Sequence, residues 1–102
     1  MTAALPPDFL VHNDGDTVGV AIRELPPGPA TGGYLVGNYV LKIEISEAIP
    51  LGHKFALAAM AQGRDVVEYG VRIGVATRPI GIGEHVHIHN LRSARWQSSV
   101  AG

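Results

Sequence analysis

Gly83-Glu84-His85-Val86-His87-Ile88-His89-Asn90 holds three of the chain's five histidines at strict two-residue spacing. Side chains alternate faces on a β-strand, so this spacing predicts His85, His87 and His89 on one face and Val86 and Ile88 on the other. The two aliphatic residues would anchor the strand in a core and hold a row of imidazoles outward. Such a row spans about 13 Å at roughly 3.3 Å per residue. With metal–nitrogen bonds of ~2.1 Å, one ion is then held by two adjacent members and not by all three. The stretch therefore reads as a His-x-His metal or anion site, set against the plainer reading of a solvated, histidine-rich strand face.

The rest of the chain points to a fold made of strands. Its 102 residues make one small domain, which buries ~65% of its unfolded surface. Hydrophobic residues are 46% and charged residues 17%, a globular balance. The net charge is −1 and no basic stripe or aromatic platform is present, which argues against nucleic acid as the main partner. There are no cysteines, so any metal must be held by His, Asp, Glu or Asn. Met1 to Pro7 has neither the basic start nor the apolar run of a signal peptide, and no stretch reaches the ~20 apolar residues of a membrane span. A cytoplasmic location is expected. Thirteen glycines and seven prolines predict many turns and a mainly β fold.

In chain order, residues 1–7 are expected to be flexible, 8–92 to form the domain and 93–102 to be a frayed tail that Trp96 could dock. Asp8 to His12 reads as a short strand, followed by an Asn13-Asp14-Gly15-Asp16 turn. Thr17 to Leu25 reads as a strand with Val18, Val20 and Ile22 on one face. Pro26 to Gly33 reads as an exposed loop or linker. Tyr34 to Ile45 returns to strand around a hairpin turn at Gly37-Asn38, with Leu41, Ile43 and Ile45 on its apolar face. Ile49-Pro50-Leu51-Gly52-His53 and Ile80-Gly81-Ile82-Gly83-Glu84-His85 form a small repeat, in which Pro at the second position and Gly at the fourth suit a type I turn. Phe55 to Gln62 is the one helix-favouring run, about two turns closed by Gly63. Asp65 to Gly70 and Val71 to Ala76 read as two strands meeting at Gly70, and Arg78-Pro79 ends that pairing.

Gly52-His53-Lys54, then Tyr69-Gly70 with Ile73-Gly74, then Gly83 to Asn90, in that order, resemble the SAF domain of the altronate/galactarate dehydratase family. The resemblance covers about His12 to Arg92. His12, Asp16 and Val18-Gly19-Val20-Ala21 stand where that family has His-Pro-x-Asp-Asn-Val-Ala-Val-Ala; Asn13 replaces the proline, Thr17 replaces the asparagine, and the turn has one extra residue. The resemblance implies a β-clip of short bent strands with at most one short helix. It also implies β-elimination from a hydroxy acid, in which the family's larger C-terminal region carries most of the catalytic apparatus. A stand-alone copy is then a small subunit completing the site of a large partner, as in the sulfolactate sulfo-lyases. Fe²⁺, used by several relatives, would stabilise an enolate-like intermediate and activate the leaving group.

Residue by residue, the resemblance implies metal ligation by His87, His89 and His12, with His85 the weaker member of the row. It implies catalytic roles for His53, Lys54 and His89, the imidazole and ammonium of His53 and Lys54 facing a carboxylate or sulfonate. Asp16, Asn90 and Arg92 are the expected substrate contacts, Asn90 also orienting an imidazole. Tyr69 is expected to pack, and Asp16 has an alternative use as a backbone cap. A free-standing module that binds a sugar acid or a metal without catalysis is the competing reading, since SAF domains also occur attached to unrelated functions. Short edge strands make a homo-oligomer a further expectation.

Overall fold

Four turns of one build occur among the described residues: Asn13–Asp16, Pro50–His53, Ala61–Arg64 and Gly81–Glu84. In each, the fourth residue's N–H donates to the first residue's carbonyl at 3.0–3.1 Å. The third residue is a glycine with positive φ: Gly15 at 94°, Gly52 at 82°, Gly63 at 89° and Gly83 at 81°. Positive φ at the third position belongs to a type II turn, so the glycines are required one place earlier than a type I reading of Pro50 and Gly52 supposes. The small repeat is real, and it has more copies than the histidine-bearing pair.

The computed structural model describes residues 6–34 and 40–93. Among them the elements are β1 (Phe9–Val11), β2 (Val18–Ala21), β3 (Gly28–Tyr34), β4 (Val40–Ile45), β5 (Lys54–Ala56), β6 (Asp65–Glu68), β7 (Val71–Ala76), β8 (His85–Val86) and β9 (Leu91–Ser93). They form a six-stranded sheet in the order β4-β3-β1-β2-β5-β8 and a three-stranded sheet β6-β7-β9. The mainly β reading holds. The expected turn at Gly37-Asn38, residues 1–5 and the tail with Trp96 lie outside the described residues.

Two expectations are corrected. Phe55 to Gln62 is not a helix. Phe55 pairs with Gly19 of β2 on one side and with His85 of β8 on the other, and Met60 bridges Ile80. Phe55 and the adjacent Ala56 are both fully buried, which a strand between two cores achieves and a two-turn surface helix does not. Tertiary pairing outweighs an alanine-rich propensity that is marginal at this length.

Pro26 to Gly33 is not a linker either, because Gly28 onwards is β3, antiparallel to β4 and parallel to β1. Its glycines serve close approach: a Cβ on Gly32 would run into the backbone oxygen of Phe9. Asp8 clamps the same junction, its backbone N–H donating to the Thr31 carbonyl at 2.6 Å and its carboxylate accepting from Thr31 N–H at 2.8 Å.

The six-stranded sheet has a core on each face, although at its β3–β4 end Pro29, Thr31, Val40, Lys42 and Glu44 leave one face exposed. One face carries Phe9, Ala21 and Phe55 into a core with Val11, Leu25, Ala30, Ile45 and Ile49. Phe9 and Phe55 meet edge to face with ring centroids 5.0 Å apart. The opposite face sends Val18, Ala56 and Val86 into a second core with Met60, Val66, Ala76 and Ile80. Thus β2 is not one apolar face with a solvated reverse: Val18 belongs to the second core, Ala21 to the first, and Ile22, beyond the strand, is 39% exposed.

The register assigns two lateral rows. Gly19, Phe55 and His85 stand in line on the first face, while Leu10, Val20, Lys54 and Val86 stand in line on the second. His53 and Lys54, neighbours in sequence, therefore point to opposite sides of the sheet.

Candidate functional site

The histidine row is built by a strand that stops early. Only His85 and Val86 are extended; residues 87–90 turn back, with Asn90 N–H donating to the His87 carbonyl at 3.0 Å. Val86 is buried as expected, but Ile88, expected beside it in the core, is 85% exposed. The buried Asn90 side chain holds the turn. Its Oδ1 accepts from His87 N–H at 2.9 Å and its Nδ2 donates to the His85 carbonyl at 2.8 Å. Asn90 thus orients the histidine segment through its backbone.

The turn gathers the imidazoles instead of spreading them along a strand. The His85 and His87 rings lie 5.3 Å apart and within 9° of parallel. From across the sheet, the Pro50–His53 turn delivers His53, whose Nδ1 lies 2.8 Å from His85 Nε2, one ring donating and the other accepting. His53 also stacks on His87 with centroids 4.8 Å apart. One ligand atom from each of His53, His85 and His87 falls within 4.8 Å of the others.

Three imidazole nitrogens at that spacing fit one divalent ion of the imidazole-binding class, since ligand atoms bonded at ~2.1 Å sit roughly 3–3.5 Å apart and small ring rotations suffice. His85 is the centre of the set. His89 is peripheral: its ring is 5.5 Å from that of His85, and its carbonyl accepts from the Arg78 guanidinium at 2.8 Å.

His85 is held below its ordinary pKa, first by burial and then by the neighbouring His53, His87 and His89, with Glu47 opposing. It therefore keeps the lone pair a metal needs. The unfolded chain takes up a proton at this position near pH 6.5, whereas the folded chain does so only at lower pH. Stability should accordingly fall as pH drops from about 6.5 towards the lowered value and level off below it. The expected result is a smaller loss of Tm between about pH 7.5 and about pH 5 in His85→Gln than in the wild type, measured by thermal melts. An equal loss in both would tell against it.

The remaining candidates gather elsewhere. His12 and Lys54 lie with the second face of the sheet, where both approach the Glu68 carboxylate: His12 Nε2 at 3.3 Å and Lys54 Nζ at 3.6 Å. The structure does not bring His12 to His87 and His89. Asp16, 8% exposed, acts as a cap: its carboxylate accepts from the backbone N–H groups of Asn13, Tyr69 and Gly70 at 3.0–3.1 Å. Asp16→Asn keeps the shape and loses charge-assisted bonding, so it should cost about 1 kcal/mol, or roughly 4–8 °C in Tm. An unshifted melt would show the cap to be dispensable. Arg92 is exposed on β9 opposite Val75.

Sequence reading passed over Glu68. Its signal was the alternation of β6, which puts Val66 and Glu68 on the same buried side.

Comparison with known proteins follows the same lines. Residues 7–94 match the family described as the altronate/galactarate dehydratase SAF domain. The chain is 40% identical over 94 residues to the (2R)-sulfolactate sulfo-lyase subunit alpha of Chromohalobacter salexigens, covering 87% of this chain and 97% of that protein. The subunit alpha of Paracoccus pantotrophus is 44% identical over 59 residues, 58% of this chain and 88% of its own length. The altronate dehydratase of Bacillus subtilis is 35% identical over 85 residues, which are 83% of this chain but 16% of that enzyme.

Proposed function

Because the chain belongs to the altronate/galactarate dehydratase SAF-domain family, we propose that it is the small subunit of a hydroxy-acid lyase and completes a site carried mostly by a separate large chain. The observation that supports this most is the pattern of coverage. The chain spans 97% of a relative named as a subunit, yet 16% of a dehydratase in which the same region is joined to a far longer sequence.

Sulfolactate and altronate share a carboxylate with a hydroxyl on the adjacent carbon and a leaving group one carbon further on. Both undergo β-elimination, one losing sulfite and the other water. On this reading the protein works in the cytoplasm, and its substrate is a small hydroxy acid of this class.

His53, His85 and His87 would hold a divalent ion, Fe²⁺ being compatible with three imidazoles. When bound, the ion supplies positive charge and ties the lead-in of β5 to the turn after β8. Asn90 keeps that turn in shape, and Asp16 keeps the Tyr69-Gly70 turn in shape. His89 and Arg92, both exposed, are left to face substrate or partner.

A pull-down from the native source with this chain as bait tests the reading, the recovered complex being assayed on sulfolactate, altronate and galactarate. Recovery of a large chain and elimination that needs both chains is the expected result. A chain recovered alone and inactive on all three would instead indicate a free-standing binding module.

A further inference from the structure

The second face of the sheet carries a cluster that ion binding leaves unused. Glu68 is 3% exposed, and its two oxygens face two different groups: Oε1 lies 3.6 Å from Lys54 Nζ and Oε2 lies 3.3 Å from His12 Nε2. A carboxylate so enclosed is costly without partners, and these two come from separate strands, Lys54 from β5 and His12 from the end of β1.

The imidazole is fixed from a third side by Tyr69, whose ring stacks on it at 3.9 Å between centroids and 19° between planes. Tyr69 has φ 58°, the one positive-φ non-glycine among the described residues, and Gly70 beside it has φ 73°. Positive φ at both central positions makes the β6–β7 connection a type I′ turn, where asparagine and glycine are the usual residues. A tyrosine is kept there against its preference by the Asp16 carboxylate, which accepts from Tyr69 N–H and Gly70 N–H, each at 3.0 Å. A buried acid, an unusual backbone conformation and a capped turn thus converge on one ring.

That arrangement gives His12 a defined chemistry. A carboxylate against Nε2 favours the tautomer with the proton on Nε2, which leaves the Nδ1 lone pair as a proton acceptor. The same carboxylate stabilises the imidazolium formed when Nδ1 takes a proton. The His12 side chain is 18% exposed and that of Lys54 34%, so neither is sealed from solvent.

We propose that His12 is the proton acceptor of the elimination, that Glu68 is its positioning residue, and that Lys54 is the cation receiving the substrate carboxylate. This rests on the lyase reading and deepens it by placing proton removal on the face opposite the histidine triad. In the step, Nδ1 of His12 takes the proton from the carbon next to the carboxylate. The C–H electron pair becomes the new C=C bond, the bond to the leaving group breaks with its pair, and the enol formed tautomerises to the 2-oxo acid. Held against Lys54, the carboxylate stabilises the charge that develops as the proton leaves.

The test uses the complex of this chain with its large partner, supplied with (2R)-sulfolactate or altronate in deuterated water. Both elimination and exchange at the carbon next to the carboxylate are followed. His12→Gln is expected to slow both by roughly 10²–10⁴-fold, with added imidazole restoring part of the rate and with metal content unchanged. Glu68→Gln should lower kcat with KM nearly constant, and Lys54→Ala should mainly raise KM. His85→Ala should lower metal content while exchange stays measurable.

Co-elution with the large chain and the melting curve establish that each variant is folded and assembled. A His12→Gln complex that assembles and exchanges at the wild-type rate would overturn the proposal. So would a loss of exchange that imidazole does not relieve. A wild-type complex inactive on both substrates would count against the lyase reading, before any variant is compared.

Discussion

His85→Ala is expected to remove almost all the stabilisation that a divalent ion confers on this chain. An ion bound to the folded state alone adds about 2.7 kcal/mol at a concentration one hundred times its Kd. For a chain of this size that is a rise in Tm of roughly 10–20 °C. His85 meets both other ligands, with His53 Nδ1 2.8 Å from its Nε2 and the near-parallel ring of His87 beside it, so its loss leaves two imidazoles where three stood. Affinity should fall by at least ~100-fold, leaving at most about 0.4 kcal/mol, or roughly 2–3 °C, at that concentration. Melts with and without Fe²⁺ or Zn²⁺ on the isolated chain measure this directly. An equal ion-dependent shift in wild type and variant would place the ion elsewhere, and no shift in either would remove the triad as a metal site.

The second large effect is expected at Gly83, the glycine of the turn that leads into the histidines. Its φ is 81°, and a Cβ there would run into the backbone carbonyl of Glu44 and come within 2.9 Å of Ser46 N. Neither neighbour is a flexible side-chain end that can swing away. Ser46 N–H donates to the Gly83 carbonyl at 3.1 Å, and Gly83 N–H donates to Ala56 at 2.8 Å, so the turn is pinned from two sides.

Gly83→Ala should therefore cost ~3 kcal/mol or more, adding a collision to the backbone strain, and lower Tm by at least ~10 °C. Gly52→Ala is the control. Its φ is nearly the same at 82°, but nothing lies within 4 Å of the added Cβ, so only the strain remains, about 1 kcal/mol. Equal losses in the two variants would show that the close approach of β4 to this turn contributes nothing.

These positions also show what a reader of the sequence can and cannot see. Tyr69 holds its positive φ with the help of Asp16 far away in the chain, whereas the turn glycines follow from local chemistry, because positive φ is natural to glycine and needs no distant partner. So does the apolar face of β4, with Leu41, Ile43 and Ile45 inward as expected. Phe55 to Gln62 and Pro26 to Gly33 mislead for one shared reason. Their local preferences are overruled by neighbours far away in the chain, Gly19 and His85 for Phe55, and Phe9 for Gly32.

The candidate sites divide in the same way. His87 is singled out as a candidate by its spacing. His53 joins the triad only because the β5–β8 register places Phe55 opposite His85, and the His12–Glu68–Lys54 cluster joins residues from three elements that no local pattern connects. The β-strand alternation that suggested a row of three histidines failed at His87 because Asn90 folds the segment back after two extended residues.

The central claim is that this chain supplies part of a lyase's active site to a larger partner. The most direct test is the turnover of the purified large chain, alone and then titrated with this one. Elimination that is near zero alone, rises with added small chain and saturates at a fixed ratio of the two is the predicted result. Full turnover by the large chain alone, unchanged by any amount of this one, would contradict it.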